Sequence, residues 1–261
     1  MTRSSVCLIP ASLLFSSVLA FAQGDFAHFT YGAGYRTTFT LVNLSTTDEA
    51  DVDLSFYNSD GTSLQADVQG VGPVTLYNFT IPAGASKSVA LVGDPAAKAS
   101  TEGWAQLTVA DGYPVVRGQA SFRRHLNGLP DFEAVVPLTS HENTNCLYVY
   151  NPNPVILVPF DNTNAYLTAL AFANSSGAAL PLQLDYRDES NQEIVSKTLT
   201  LPPNNHVAFA STLTPDGSTQ DPILAGKKGV LRIQPASPNF AVLGLLFNST
   251  GPYTAILPIS Q

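Results

Sequence analysis

The chain has 261 residues, with 12 Lys and Arg against 20 Asp and Glu, and a net charge of −8. Its 44% hydrophobic content supports packed cores and excludes wholesale disorder. The acidic balance argues against nucleic acid and against an anionic membrane surface as partners, because both attract clustered Lys and Arg. Lys, Glu, Arg and Met are scarce while Thr, Val, Asn and Pro abound, so long amphipathic helices are not expected.

Residues 1–22 have the layout of a signal peptide. Arg3 supplies a positive start, Val6 to Leu19 is apolar and almost uncharged, and Ala20-Phe21-Ala22 places small residues where a signal peptidase reads. The apolar run is too short to span a bilayer and a polar segment follows at once. The expectation is an exported protein (extracellular, cell-surface or periplasmic) with no membrane insertion after cleavage. Cys7 leaves with the leader. Cys146 then remains alone, a small buried hydrophobe or an intermolecular contact, and stability must come from packing rather than an intrachain disulfide.

Residues 23–139 read as a first domain. Tyr35, Thr37, Phe39 and Leu41 alternate with Arg36, Thr38 and Thr40, the mark of a half-buried strand. Val52, Leu54 and Phe56 alternate with Asp51, Asp53 and Ser55, and Asn58-Ser59-Asp60-Gly61 makes a turn. Gln65 to Leu76 is an insertion, and Phe79-Thr80-Ile81-Pro82 ends a strand at a proline. Counting from Leu107 and Val109 places Ala105 inside and Trp104 on the opposite face, half-exposed. Asp51 and Asp53 share the solvent face and are the weak calcium candidates, without the fixed spacing of a calcium loop.

Residues 140–154 form a polar linker that can supply the first strand of the second domain. Leu147, Tyr148, Val149 and Tyr150 alternate, so Tyr148 and Tyr150 share one face that either binds a partner or packs between domains. Residues 155–261 repeat the first pattern. Tyr166, Thr168, Leu170, Phe172 and Asn174 return the layout that begins at Tyr35; Leu182, Leu184 and Tyr186 match Val52, Leu54 and Phe56. Leu199-Thr200-Leu201-Pro202 matches Phe79 to Pro82, and Ala241, Leu243, Leu245 and Phe247 are aligned with Val116, Gly118, Ala120 and Phe122. A duplicated unit of about seven short strands with regular turns predicts a β-sandwich, with a closed barrel as the alternative.

Gly-Ala-Gly-Tyr-Arg-Thr at 32–37, Val-Pro-Phe-Asp-Asn-Thr at 158–163, Leu-Pro-Pro-Asn-Asn-His at 201–206, Ala-Gly-Lys-Lys-Gly-Val-Leu at 225–231 and Leu-Gly-Leu-Leu-Phe-Asn-Ser-Thr-Gly at 243–251 together resemble secreted bacterial proteins with tandem immunoglobulin-like repeats. The resemblance covers most of 26–138 and 156–259, not the linker. It implies an all-β chain of two tandem immunoglobulin-like antiparallel sandwiches, outside the cytoplasm, and carries no activity with it.

No catalytic constellation is present in the sequence: no Gly-x-Ser-x-Gly elbow, His-Glu-x-x-His site, phosphate loop or Cys-x-x-Cys pair. His28, His125, His141 and His206 are not at ligand spacing; His206 with Asp185 or Asp188 is the nearest to a base and its orienter. No catalytic residue, metal or cofactor is expected. The binding candidates are Trp104, Tyr148 and Tyr150. The expected function is a non-enzymatic structural or binding module, presenting sandwich loops and aromatic faces to a protein or glycan at the cell exterior. The alternatives are a periplasmic assembly chaperone, which the missing Arg/Lys pair at the junction disfavours, and a secreted hydrolase on a β scaffold.

Overall fold

The computed structural model describes residues 22–110, 114–125, 128, 131–140, 155–214, 220–237, 239–249 and 251–260. The first half contains β1 (Ala22–Tyr31), β2 (Tyr35–Asn43), β3 (Ala50–Tyr57), β4 (Ala66–Val68), β5 (Gly72–Val74), β6 (Leu76–Ile81), β7 (Ser86–Leu91), β8 (Thr101–Val109), β9 (Val116–Arg124) and β10 (Phe132–Ser140). The second contains β11 (Ile156–Asp161), β12 (Tyr166–Asn174), β13 (Leu180–Asp188), β14 (Glu193–Leu201), β15 (His206–Ala210), a 3-10 turn (Pro222–Leu224), β16 (Lys228–Pro235), β17 (Phe240–Asn248), β18 (Tyr253–Ile256) and β19 (Ile259–Ser260). The pairs all run antiparallel.

Alternation makes the strands. In β2, Thr37, Phe39, Leu41 and Asn43 are buried and their neighbours are not; β3 buries Val52, Leu54 and Phe56 in the same rhythm. The first half closes this buried face into one ten-stranded sheet, ordered β5-β4-β7-β2-β9-β10-β1-β8-β3-β6. Its edge strands β5 and β6 are separated by Thr75 alone, so the sheet comes nearly full circle, the barrel-like alternative more than two open layers. Inside, Phe39 meets Phe26 edge-on with centroids 4.9 Å apart, and Phe29 meets Phe56 at 5.9 Å. The predicted insertion is the β4–β5 hairpin.

The second half opens into a five-stranded sheet, β14-β13-β16-β11-β19, and a four-stranded sheet, β15-β12-β17-β18. The run β7-β2-β9-β10 corresponds to β15-β12-β17-β18, and β1-β8-β3-β6 to β11-β16-β13-β14. The difference lies at the seam. β10 pairs with both β9 and β1 and joins the layers, whereas its counterpart is divided, β18 on β17 and β19 on β11. In the second half the consecutive strands β16 and β17 lie in different sheets, and in the first half β8 and β9 are separated by β1 and β10 within the one sheet. An immunoglobulin sandwich keeps the corresponding strands side by side, so the strand order here differs from it.

One alignment shifts. Thr37 lies opposite Phe122, and its counterpart Thr168 lies opposite Leu246 rather than Phe247. Phe240 and Val242 therefore take the places assigned to Ala241 and Leu243. A slip of one residue turns a strand's whole side-chain set to the other face. Phe240 and Val242 pack with Leu170 and Phe172 in the second half's own core, while Ala241, Leu243 and Leu245 join Ala171 and Ala173 against the first half. The four-stranded sheet is thus a shared wall, apolar on both faces.

Candidate functional site

The site is built where β1 meets that wall. β1 carries a bulge between Phe26 and Phe29, so that Phe26 faces Ala105 and Phe29 faces Gly103 on β8. The extra residue lets both phenylalanines enter the core and re-aims the side chains between and beyond them. His28 and Thr30 are buried, with 8% and 4% of their surface exposed. The His28 ring stacks on His206 of β15 at 5.3 Å, and its Nδ1 lies 3.2 Å from His206 Nε2. His206 Nδ1 lies 3.0 Å from Ser59 Oγ, and its backbone N–H donates to Ser59 O over 2.9 Å. Burial pushes His28 below the ordinary imidazole range, with Glu102 opposing; burial and the His28 ring push His206 well below it.

Beside this pair the junction forms a half-open pocket of about 240 Å³. Alanines of β12 and β15, Leu245 and Phe247 form its apolar side; His28, Thr30, Tyr35, Phe122, Glu102 and Tyr253 line the rest. Tyr253 is 8% exposed and its ring lies 5.5 Å from Phe122 and 5.5 Å from Phe247, so one aromatic from β18 is held by rings of both halves. Its hydroxyl and Thr30 Oγ1 are buried without a hydrogen-bond partner among the described residues. Burial raises the Tyr253 pKa, keeping the phenol neutral. The guanidinium of Arg124 sits 4.9 Å from the Tyr35 ring centroid.

The other candidates fall elsewhere. Trp104 is 1% exposed rather than half-exposed, because Tyr57 directly across the β3–β8 pair lies flat on it, centroids 4.4 Å apart. Strand parity identified its face correctly but could not show what covers it. Asp51 is exposed opposite Thr80; Asp53 faces Asn78, which donates to its carboxylate. Among the described residues no group of three or more His, Cys, Asp or Glu is placed to hold a metal ion. Asp185 accepts from Ser196 and Gln183, and Asp188 from the N–H groups of its own turn; His206 is partnered by Ser59 and His28 instead. Cys146, Tyr148 and Tyr150 lie outside the described residues.

The buried polar residues with the most structural consequence stand in the sequence as members of strand patterns, with no chemical motif to mark them. Asn43 Nδ2 donates to the carbonyls of Asp48, Ile81 and Pro82 while its Oδ1 accepts from Ser45 N–H; Asn174 does the same with Ala178, Leu201, Pro202 and Ser176. Thr37 Oγ1 accepts from Thr30 N–H and donates to Thr30 O, and Thr168 repeats this on Asp161. Their signal was the recurrence of Asn and Thr at matched places on strands that otherwise bury apolar groups. Comparison with protein-family models, with curated proteins and with solved structures gave no match.

Proposed function

We propose that the chain is an exported, non-enzymatic structural or binding module of two tandem immunoglobulin-like β units, the first nearly closed into a barrel and the second a two-sheet sandwich, with a strand order of their own. It presents its loops and aromatic faces to a protein or glycan at the cell exterior. The observation that carries this reading is where the buried polar groups go. Asn43, Asn174, Thr37 and Thr168 close strand ends in matched pairs, and His28, His206 and Ser59 fasten one half to the other. These groups serve the scaffold, and the matched pairs support duplication of one unit. Export rests on the leader pattern of residues 1–22.

One contact speaks for the hydrolase alternative. Ser59 is exposed and its hydroxyl lies within reach of an imidazole. That imidazole is buried, with its basicity pushed down, which weakens it as a general base near neutrality. A panel of ester, glycoside and peptide substrates on the mature protein is expected to show no turnover; turnover lost in both Ser59→Ala and His206→Ala overturns the non-enzymatic reading. A glycan array and a crosslinking pull-down from the cell exterior test the binding half. Saturable capture weakened by Tyr148→Ala and Tyr150→Ala is the expected result, and capture indifferent to both removes those residues from the site.

A further inference from the structure

We propose that the free edge of β6 receives an extended, lysine- or arginine-rich polypeptide segment, added to the first half's sheet as one more strand. The proposal deepens the binding-module reading, on which it rests, by naming a second surface and the chemistry of its partner.

β6 ends the sheet order and, among the described residues, pairs with β3 alone. The register fixes which of its backbone groups are free. Phe56 N–H donates to Thr75 O over 3.0 Å, which sets the alternation of the antiparallel ladder. The hydrogen-bonded pairs that follow are Leu54 with Tyr77, Val52 with Phe79 and Ala50 with Ile81. Leu76, Asn78 and Thr80 therefore turn their N–H and C=O groups away from β3, and all three residues are exposed, Leu76 by 42%. Edges of natural sheets are blunted by charge, proline, a bulge or a cover. β6 reads Leu-Tyr-Asn-Phe-Thr-Ile, without charge or proline, and its register with β3 runs unbroken. The matched edge strand of the second half, β14, is guarded. The 3-10 turn packs on it, Lys197 pairs with Asp221 just ahead of that turn, and Leu224 is buried.

Charge selects the partner. Asp51 and Asp53 stand on the outer face of β3, beside β6, and β3, β6 and β8 carry no Lys or Arg. A strand added to β6 lies about 10 Å from β3, two strand spacings away, so long cationic side chains are needed to reach the two carboxylates. On the opposite face the half-buried rings of Tyr77 and Phe79, 5.1 Å apart, offer apolar contact to the alternate side chains of the same strand. The partner is thus a segment of alternating cationic and β-branched residues. A second copy of β6 is disfavoured, because antiparallel edge-to-edge pairing sets its Asp51 and Asp53 on the same face as the first pair.

The test uses full-length protein and the peptide acetyl-Thr-Lys-Val-Lys-Val-Lys-Thr-amide. Its comparators are a twin with Glu for Lys and a twin of the same charge with Pro for Val. Affinity is read by calorimetric titration, and strand addition by amide hydrogen exchange. The lysine peptide is expected to saturate, to bind about tenfold or more tighter than either twin, and to slow exchange at the Leu76, Asn78 and Thr80 amides. Thr80→Pro removes an outward N–H and spares the β3 ladder, so it is expected to abolish binding. Asp51→Asn with Asp53→Asn keeps the edge and removes its charge; binding is expected to weaken about tenfold and to lose most of its salt dependence, with the melting temperature in place. Equal binding of the proline twin, or unchanged exchange at the three amides, reduces the effect to charge alone and overturns the proposal. Concentration-dependent dimerisation lost in Thr80→Pro assigns the edge to a second copy and overturns it as well. So does failure of the lysine peptide to saturate, an outcome that leaves capture through Tyr148 and Tyr150 to its own test.

Discussion

Asn43 and Asn174 each tie three carbonyls and one amide where a strand ends, from positions 1% and 0% exposed. Replacing either by alanine strands several buried backbone groups, which costs about 1–3 kcal/mol for each group left unsatisfied. Asn43→Ala and Asn174→Ala are therefore expected to lose at least about 2 kcal/mol each in urea unfolding; a loss within error of zero would show that water replaces the side chain. The histidine pair acts on pH instead. Both rings have folded pKa values below the ordinary 6.5, so below that pH the unfolded chain binds more protons than the folded one. Stability is full above about pH 6.5 and falls on acidification, by up to about 1.4 kcal/mol per pH unit for each ring. Glu102 opposes this for His28 and makes it the lesser contributor. Asp60 and Asp131, held below 3.8 by hydrogen bonds, lose their share only at lower pH. Urea midpoints at about pH 7.5 and 5.5 should differ in the wild type, and the difference should shrink in His206→Gln; equal midpoints in the wild type would refute the coupling.

Strands with one wet face were legible as strings of residues, and strands with two dry faces were not. β2 and β3 alternate cleanly because polar residues, with Val42 the exception, stand between the buried ones. β12 and β17 bury long runs on both faces, so alternation could not say which set belonged to which core, and the alignment of β17 slipped by one. Trp104 failed for the same reason: periodicity reports a face, and burial depends on what another element lays over it. The junction pocket draws on β1, β2, β8, β9, β12, β15, β17 and β18, and no local pattern encodes that convergence. Glycine pairs are another element-scale device visible only in three dimensions. A Cβ on Gly103 would collide with Tyr57 O, and one on Gly229 with Arg187 O, at matching places in β8 and β16. Two strands approach too closely there for any side chain. Gly103→Ala and Gly229→Ala are expected to cost about 1–3 kcal/mol each, read as lowered melting temperatures, whereas Gly128→Ala bears on a position with open space around it and tests the backbone alone. If Gly103→Ala melts with the wild type, the close approach is not a constraint.

The whole molecule turns on the sheet that serves two cores. Ala171, Ala173, Ala241 and Leu243 belong to the buried cluster of the first half, although the chain places them in the second. Small residues on that face let the two sheets approach, and Tyr253 reaches across to Phe122 and Phe132. Opposite them Phe172, Phe240 and Val242 fill the second core, so a disturbance on one side of β12 or β17 is felt on the other. Two units that share a wall cannot open independently without exposing it, and exposed apolar surface is what folding removes. The wild type is therefore expected to unfold in one calorimetric transition, with the calorimetric and van't Hoff enthalpies equal for the whole chain. Leu243→Asp puts a carboxylate in the middle of the wall, where it has neither water nor a partner, and is expected to separate that transition into two as the halves let go. Leu184→Asp, equally buried but in the second core away from the junction, is expected instead to lower the stability of the second half outright. Two well-separated transitions in the wild type would mean that the wall, though shared in space, does not couple the halves in energy.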